Sequence, residues 1–163
     1  MTVAEAVKDS KSGGLFNRAL IEYGQSQLRE DEDLVRAAMV YVTRRAADRD
    51  GAPSGYLARA GVSSKIKMLL CVTTRRLGFF NYMFDNAVEY ELPMDASPVL
   101  DASGSKTGYG VGNLRLSCRG DVYFIEANRK LTNHLKSGIM AAMMIYKDKL
   151  AGTKQGSAEP ETL

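Results

Sequence analysis

Leu34-Val35-Arg36-Ala37-Ala38-Met39-Val40-Tyr41-Val42-Thr43-Arg44-Arg45-Ala46 is the stretch on which the architecture of the N-terminal half turns. Leu34, Ala38, Tyr41, Val42 and Ala46 gather on one side of a helical wheel, as the buried stripe of an amphipathic helix does. The acidic run Glu30-Asp31-Glu32-Asp33 lies just before it, where Asp31 or Asp33 can cap free backbone N–H groups. Arg44, Arg45 and Arg49 lie at the other end, where cations suit the helix dipole. The stretch is therefore expected to be helical. Helix electrostatics alone explains this acid-first, base-last order, so the order says nothing about function.

The same reading extends in both directions. Upstream, Leu15, Phe16, Ala19, Leu20, Tyr23 and Leu28 recur at helical steps, which predicts a helix over about 15–28. Residues 1–13 read as a flexible N-terminal arm closing at Gly13-Gly14. Downstream, Asp50 to Gly55 is a turn cluster. Ser63 or Ser64 can cap a further helix, expected over about 63–76. Its apolar run, Met68 to Val72, is continuous, and periodicity does not separate a buried helix from a buried strand there.

Beyond Gly78 the texture changes. Phe79, Phe80, Tyr82 and Phe84 crowd together, and Val88 to Leu92 alternates as a strand does. Residues 93–112, rich in glycine, proline and small polar residues, read as one long loop. Leu114, Leu116 and Cys118 alternate with Arg115 and Ser117, Arg119-Gly120-Asp121 makes a tight turn, and Val122 to Ala127 returns. That is a hairpin over about 113–127. Leu131, Leu135, Ile139, Met143, Tyr146 and Leu150 then mark a long helix over about 129–150, and 153–163 reads as a disordered tail. The expected fold is α+β: a helical N-terminal half packed with a small antiparallel sheet and a long C-terminal helix, in a single domain over 14–152.

The chain has 163 residues and a net charge of +3. A chain this long buries enough surface to fold without staples. No stretch is long and apolar enough to cross a membrane and no signal peptide is evident, so a cytoplasmic location is expected. Cys71 and Cys118 read as reduced core thiols.

Catalytic chemistry is sparse. His134 is the single histidine, and it falls at no ligand or catalytic spacing from either cysteine. Gly104-Ser105-Lys106-Thr107 ends as a phosphate-binding loop does, but Ser105 replaces the required glycine and a strand follows where a helix is needed. Arg119-Gly120-Asp121 matches an adhesion tripeptide too short to carry weight. Gly61-Val62-Ser63 is similar to the turn of a helix-turn-helix, over too few residues to argue DNA reading. Glu89 and Glu91 share a strand face and read as solvated rather than metal-binding. No cofactor is expected.

Charge layout points elsewhere. From Arg36 to Arg76 the chain holds nine Lys and Arg against two acids, Asp48 and Asp50. Arg44, Arg45, Arg59, Lys65, Lys67, Arg75 and Arg76, with Arg115 and Arg119 from the hairpin, are the candidate contacts for nucleic acid (RNA included) or another polyanion. Met140, Met143 and Met144 give the last helix an adaptable apolar surface suited to self-association as a homo-oligomer. The leading expectation is a non-enzymatic binding and assembly protein, with the texture of a viral or phage structural protein. The alternatives are a protein–protein adaptor, and a small enzyme with its site in the 93–112 loop.

Overall fold

The structure, a computed structural model, describes residues 18–46, 65–81, 88–101 and 110–156. It opens with a short helix, α1 (Arg18–Ser26). Seven strands follow: β1 (Leu34–Arg45), β2 (Ile66–Thr73), β3 (Arg76–Asn81), β4 (Val88–Pro93), β5 (Val99–Asp101), β6 (Val111–Cys118) and β7 (Asp121–Asn128). A single 3-10 turn, Met94–Ala96, joins β4 to β5, and the described residues close with α2 (Arg129–Gly156).

All strand pairs are antiparallel, in the order β4-β3-β2-β1-β7-β6-β5. The sheet curls into a half-barrel. Tyr90 on β4 and Tyr123 on β7 lie 5.4 Å apart between ring centroids, although three strands separate theirs. In a flat sheet they would stand about 19 Å apart, at roughly 4.8 Å per strand step. Phe79 completes the bridge, stacked on Tyr123 at 5.9 Å and edge-on to Tyr90 at 6.2 Å.

This architecture overturns the expected helical N-terminal half. The segment 34–45 is a strand, not a helix. Ala38, Val40 and Val42 point into the curl, and Ala37 and Met39 point outward against α1. A strand apolar on both faces satisfies any period, so the helical stripe was a subset of a fuller pattern. The β-branched Val35, Val40, Val42 and Thr43 favour the extended form. The acidic run makes a turn with Asp31 at φ 65°, and Glu32 turns inward as an ion-pair partner.

The segment expected as a helix over 63–76 is β2 followed by a tight turn into β3. Every residue from Met68 to Thr73 is buried because both sides of β2 are covered. Leu69 and Cys71 join Leu20, Tyr23 and Phe80 beneath α1, while Met68, Leu70 and Val72 join the main core beneath α2. A strand covered on both faces reads as a continuous apolar run. Phe79 and Phe80 are core residues, one for each side of the sheet.

The expected loop over 93–112 also gives way in part. It contains the 3-10 turn and β5, which pairs with β6. The hairpin and last helix stand as read, with two refinements. Arg119 shares the positive-φ turn with Gly120, at φ 53° and 83°, as a two-residue primed turn requires. The last helix runs on to Gly156 rather than closing near 150. Its first turn docks tightly on β6: a Cβ on Gly112 would meet Thr132 Oγ1 at 2.6 Å. Asn128 Oδ1 accepts the Leu131 N–H at 2.8 Å and caps the helix. The expected arm over 1–13, the turn cluster over 50–55 and residues 157–163 lie outside the described residues.

Both cysteines are free and buried, on opposite sides of the sheet. Burial pushes the Cys71 thiol up to about 12, and burial also raises that of Cys118. Neither is expected to react with Ellman's reagent in the native protein, and both should react at once in denaturant. Reaction of either thiol without denaturant would contradict the two-sided burial of the sheet.

Candidate functional site

The outer face of the sheet is covered by α1 over only half its extent. Beyond Met39 the β1 outer face continues as Tyr41, Thr43 and Arg45, the set opposite Val40 and Val42. Cross-strand register extends this face sideways. Tyr41 stands opposite Lys67 on β2 and Glu126 on β7, with Asn113 beyond on β6. Thr43 stands opposite Phe124, which is followed by Arg115 and then Asp101. Lys65 joins the same face two residues before Lys67.

Tyr41 and Phe124 sit at the centre of this face, 44% and 42% exposed. Each is flanked by a cation: Lys65 Nζ lies 5.0 Å from the Tyr41 ring centroid, and the Arg115 guanidinium lies 5.8 Å from that of Phe124. Lys65 also pairs with Glu126 at 2.8 Å. Among the described residues the face holds four cations, Arg45, Lys65, Lys67 and Arg115, against two carboxylates, Glu126 and Asp101. It is an exposed aromatic centre within a charged border of net positive sign.

The structure divides the sequence candidates sharply. Arg45, Lys65, Lys67 and Arg115 meet on this face. Arg119 lies exposed at the hairpin tip, at the end of the sheet where β1 stops and β2 begins. Arg44 points to the inner side, pairs with Asp121 at 2.8 Å and lies over the Tyr90 ring at 5.4 Å. Arg75 sits at the opposite end of β2, its Nε donating to the Asp31 carbonyl oxygen at 3.3 Å. Arg76 is buried and bound to Glu32 at 3.0 Å, which makes it a structural cation and not a surface contact. Arg59 lies outside the described residues.

Met140 and Met144 are exposed on α2, whereas Met143 packs against the main core. Among the described residues no group of three His, Cys, Asp or Glu side chains is placed to hold a metal ion. No described helix is long and apolar enough to cross a membrane.

Sequence reasoning missed Tyr41 and Phe124. Tyr41 also falls on the helical stripe of Leu34, Ala38, Val42 and Ala46, which hides its alternation with Val40 and Val42. Phe124 was recoverable: in Val122-Tyr123-Phe124-Ile125-Glu126, Tyr123 and Ile125 fill the inner face, so an aromatic between them must stand on the outer one.

No family model matches the chain, and no curated protein does. Solved structures do. The chain aligns with Vav1 inhibited by an allosteric inhibitor at TM-score 0.52 and 12% identity, over 85% of this chain and 35% of that one. A structure concerning the PH and C1 domains of the Vav1 exchange factor gives TM-score 0.50 and 10% identity, over 86% and 35%. A solution structure of a pleckstrin homology domain gives TM-score 0.47 and 12% identity, over 69% of this chain and 88% of that one. The chain thus spans about a third of the length of the Vav1 chains it resembles. At these identities the likeness is one of fold: a curled antiparallel sheet closed by a C-terminal helix, PH-like in form.

Proposed function

We propose that this chain is a non-catalytic interaction module that binds an acidic protein partner through the Tyr41–Phe124 face. One observation carries the reading: two aromatic rings stand exposed at the centre of a sheet face, ringed by Arg45, Lys65, Lys67 and Arg115. Aromatic and arginine side chains dominate the binding energy of protein interfaces, with charged residues at the rim. The net positive border selects an acidic partner and steers its approach. The PH-like fold is consistent with an interaction domain.

The expected nucleic-acid ligand fits this face less well. Base stacking needs a free aromatic face, and one side of each ring is already occupied by a cation. Glu126, two residues from Phe124 on β7 and opposite Tyr41, would also oppose a phosphate backbone. Of the nine cations named from sequence, Arg44 and Arg76 are committed to internal ion pairs. Neither the fold likeness nor this geometry supports a viral structural role or self-association.

Affinity capture with the full chain, with and without nuclease, tests the proposal. Wild-type protein is expected to retain a set of proteins that survives nuclease, weakens in high salt, and is lost from both Phe124→Ala and a Lys65→Glu/Lys67→Glu variant. Capture that disappears with nuclease would restore the nucleic-acid reading. A captured set unchanged in both variants would remove the face from the account.

A further inference from the structure

The outer face of the sheet already receives one helix. Leu20 and Tyr23 of α1 lie on Leu69, Cys71 and Phe80, with Leu34, Ala37 and Met39 packed around them. Tyr23 meets Phe80 edge-on at 5.8 Å. The α1 backbone rests directly on β1: a Cβ added to Gly24 would stand 3.0 Å from Leu34 Cδ2 and 3.4 Å from Ala37 Cβ. This cover ends at Met39, and the exposed rings of Tyr41 and Phe124 begin where it stops.

The uncovered half is laid out as a channel. Tyr41 on β1 and Phe124 on β7 are diagonal neighbours, because Phe124 lies two residues from Glu126, which stands opposite Tyr41. Such positions are about 7–8 Å apart. Lys65 and Lys67 border the rings on the β2 side, and Arg115 borders them on β6. Three strand steps separate β2 from β6, or about 14 Å at roughly 4.8 Å per step. A helix with its side chains is about 10–12 Å wide. One helix therefore fits over the two rings, between the two sets of cations. From Tyr41 to Arg45 the strand rises about 14 Å at roughly 3.4 Å per residue, the length of about two to three helical turns.

An extended segment fits this place less well. Here β1 is paired on both sides, by β2 and β7, and β7 is paired by β1 and β6. A strand laid across them finds no open edge, and its backbone groups pressed onto the rings would lack partners. A helix arrives with its backbone hydrogen bonds closed within itself.

We propose that the acidic partner inferred above presents an amphipathic helix to this face, a proposal that rests on that reading. Its apolar stripe, spaced i, i+3, i+4 and i+7, lies along Tyr41 and Phe124 beside α1. Its carboxylates flank the stripe on both sides, toward Lys65 and Lys67 on one and toward Arg115 on the other.

The test is selection of random displayed peptides, about 16 residues long and so about four helical turns, against the full chain. The enriched sequences are then synthesised and their affinities measured by fluorescence anisotropy. They are expected to carry apolar residues at helical spacing with Asp and Glu beside them. Phe124→Ala and Tyr41→Ala should each weaken them about ten-fold or more. A single proline at the centre of the peptide should do the same. Enriched peptides whose apolar residues alternate, or whose affinity ignores the central proline, would overturn the helix while leaving the acidic-partner reading in place. Enriched peptides that are basic, or that bind both alanine variants as tightly as wild type, would overturn that reading as well, and so would a selection that enriches nothing.

Discussion

A Glu32→Ala variant is expected to lose about 3–5 kcal/mol of unfolding free energy, the usual cost of stripping one partner from a buried ion pair. The Glu32 side chain is 1% exposed and that of Arg76 is 6% exposed. The carboxylate accepts from Arg76 Nε and Nη2, from the Arg29 backbone N–H at 2.7 Å and from Thr73 Oγ1 at 2.9 Å. Removing it leaves a charged guanidinium in the interior with only the Gln27 carbonyl oxygen and a longer contact to Glu91. It also frees the turn that feeds β1. Urea denaturation checks the value, and a loss below about 1 kcal/mol would place the pair in solvent instead. The paired replacement Glu32→Leu with Arg76→Met should recover much of the loss, because apolar isosteres remove the unpaired charge.

The same pair sets an acid limit. Burial alone would raise the Glu32 pKa, but hydrogen bonds from Arg76, the Arg29 N–H and Thr73 outweigh it and hold the group below its ordinary value. A carboxyl with a lowered folded pKa contributes stability that is complete above its unfolded value, 4.5, and fades as pH falls through the folded one. The urea midpoint of wild type should therefore fall below about pH 4.5, and the difference from Glu32→Ala should shrink over the same window. A difference that stays constant down to pH 2 would contradict the assignment.

Replacing Phe79 by alanine is expected to cost about 3–5 kcal/mol, as for other wholly buried phenylalanines. Phe79 has no exposed surface and touches both Tyr90 and Tyr123. Those two rings belong to strands that meet only because the sheet curls, so Phe79 is the stitch across the half-barrel. A double-mutant cycle isolates the curl from simple burial. Tyr90→Leu and Tyr123→Leu should show a coupling of about 0.5–1.5 kcal/mol, as touching aromatic rings do. Residues about 19 Å apart in a flat sheet would be additive within about 0.5 kcal/mol. Additivity would therefore refute the curl even if Phe79→Ala were destabilising.

The parts of this fold that were legible are those with one exposed side. The hairpin from Val111 to Asn128 alternates because most of its outer positions meet water. The last helix is legible because Leu135, Ile139 and Ala142 face the core while Met140 and Met144 face solvent. The illegible parts are β2 and the first half of β1, which are covered on both sides by different helices. There the period-2 signal vanishes, and propensity and charge order are left to mislead. The acidic run before Leu34 imitated a helix start because one of its members, Glu32, serves an interior arginine 44 residues away. Arg45, Lys65, Lys67 and Arg115, named from sequence as candidate nucleic-acid contacts, share the outer face, but the aromatic pair between them is not named by that reading. That pairing depends on register between β1 and β7, which are separated in sequence by strands β2 to β6.

Site-specific photocrosslinking shows whether a partner sits on the Tyr41–Phe124 face. A benzoyl-phenylalanine placed at Tyr41 or at Phe124 in the full chain, and at exposed Lys147 on α2 as a control, is irradiated in cells expressing the protein. A nuclease-resistant protein adduct is expected from positions 41 and 124 and none from 147. An adduct from 147 alone, or none from 41 and 124, would contradict it and move the interface off the aromatic face of the sheet.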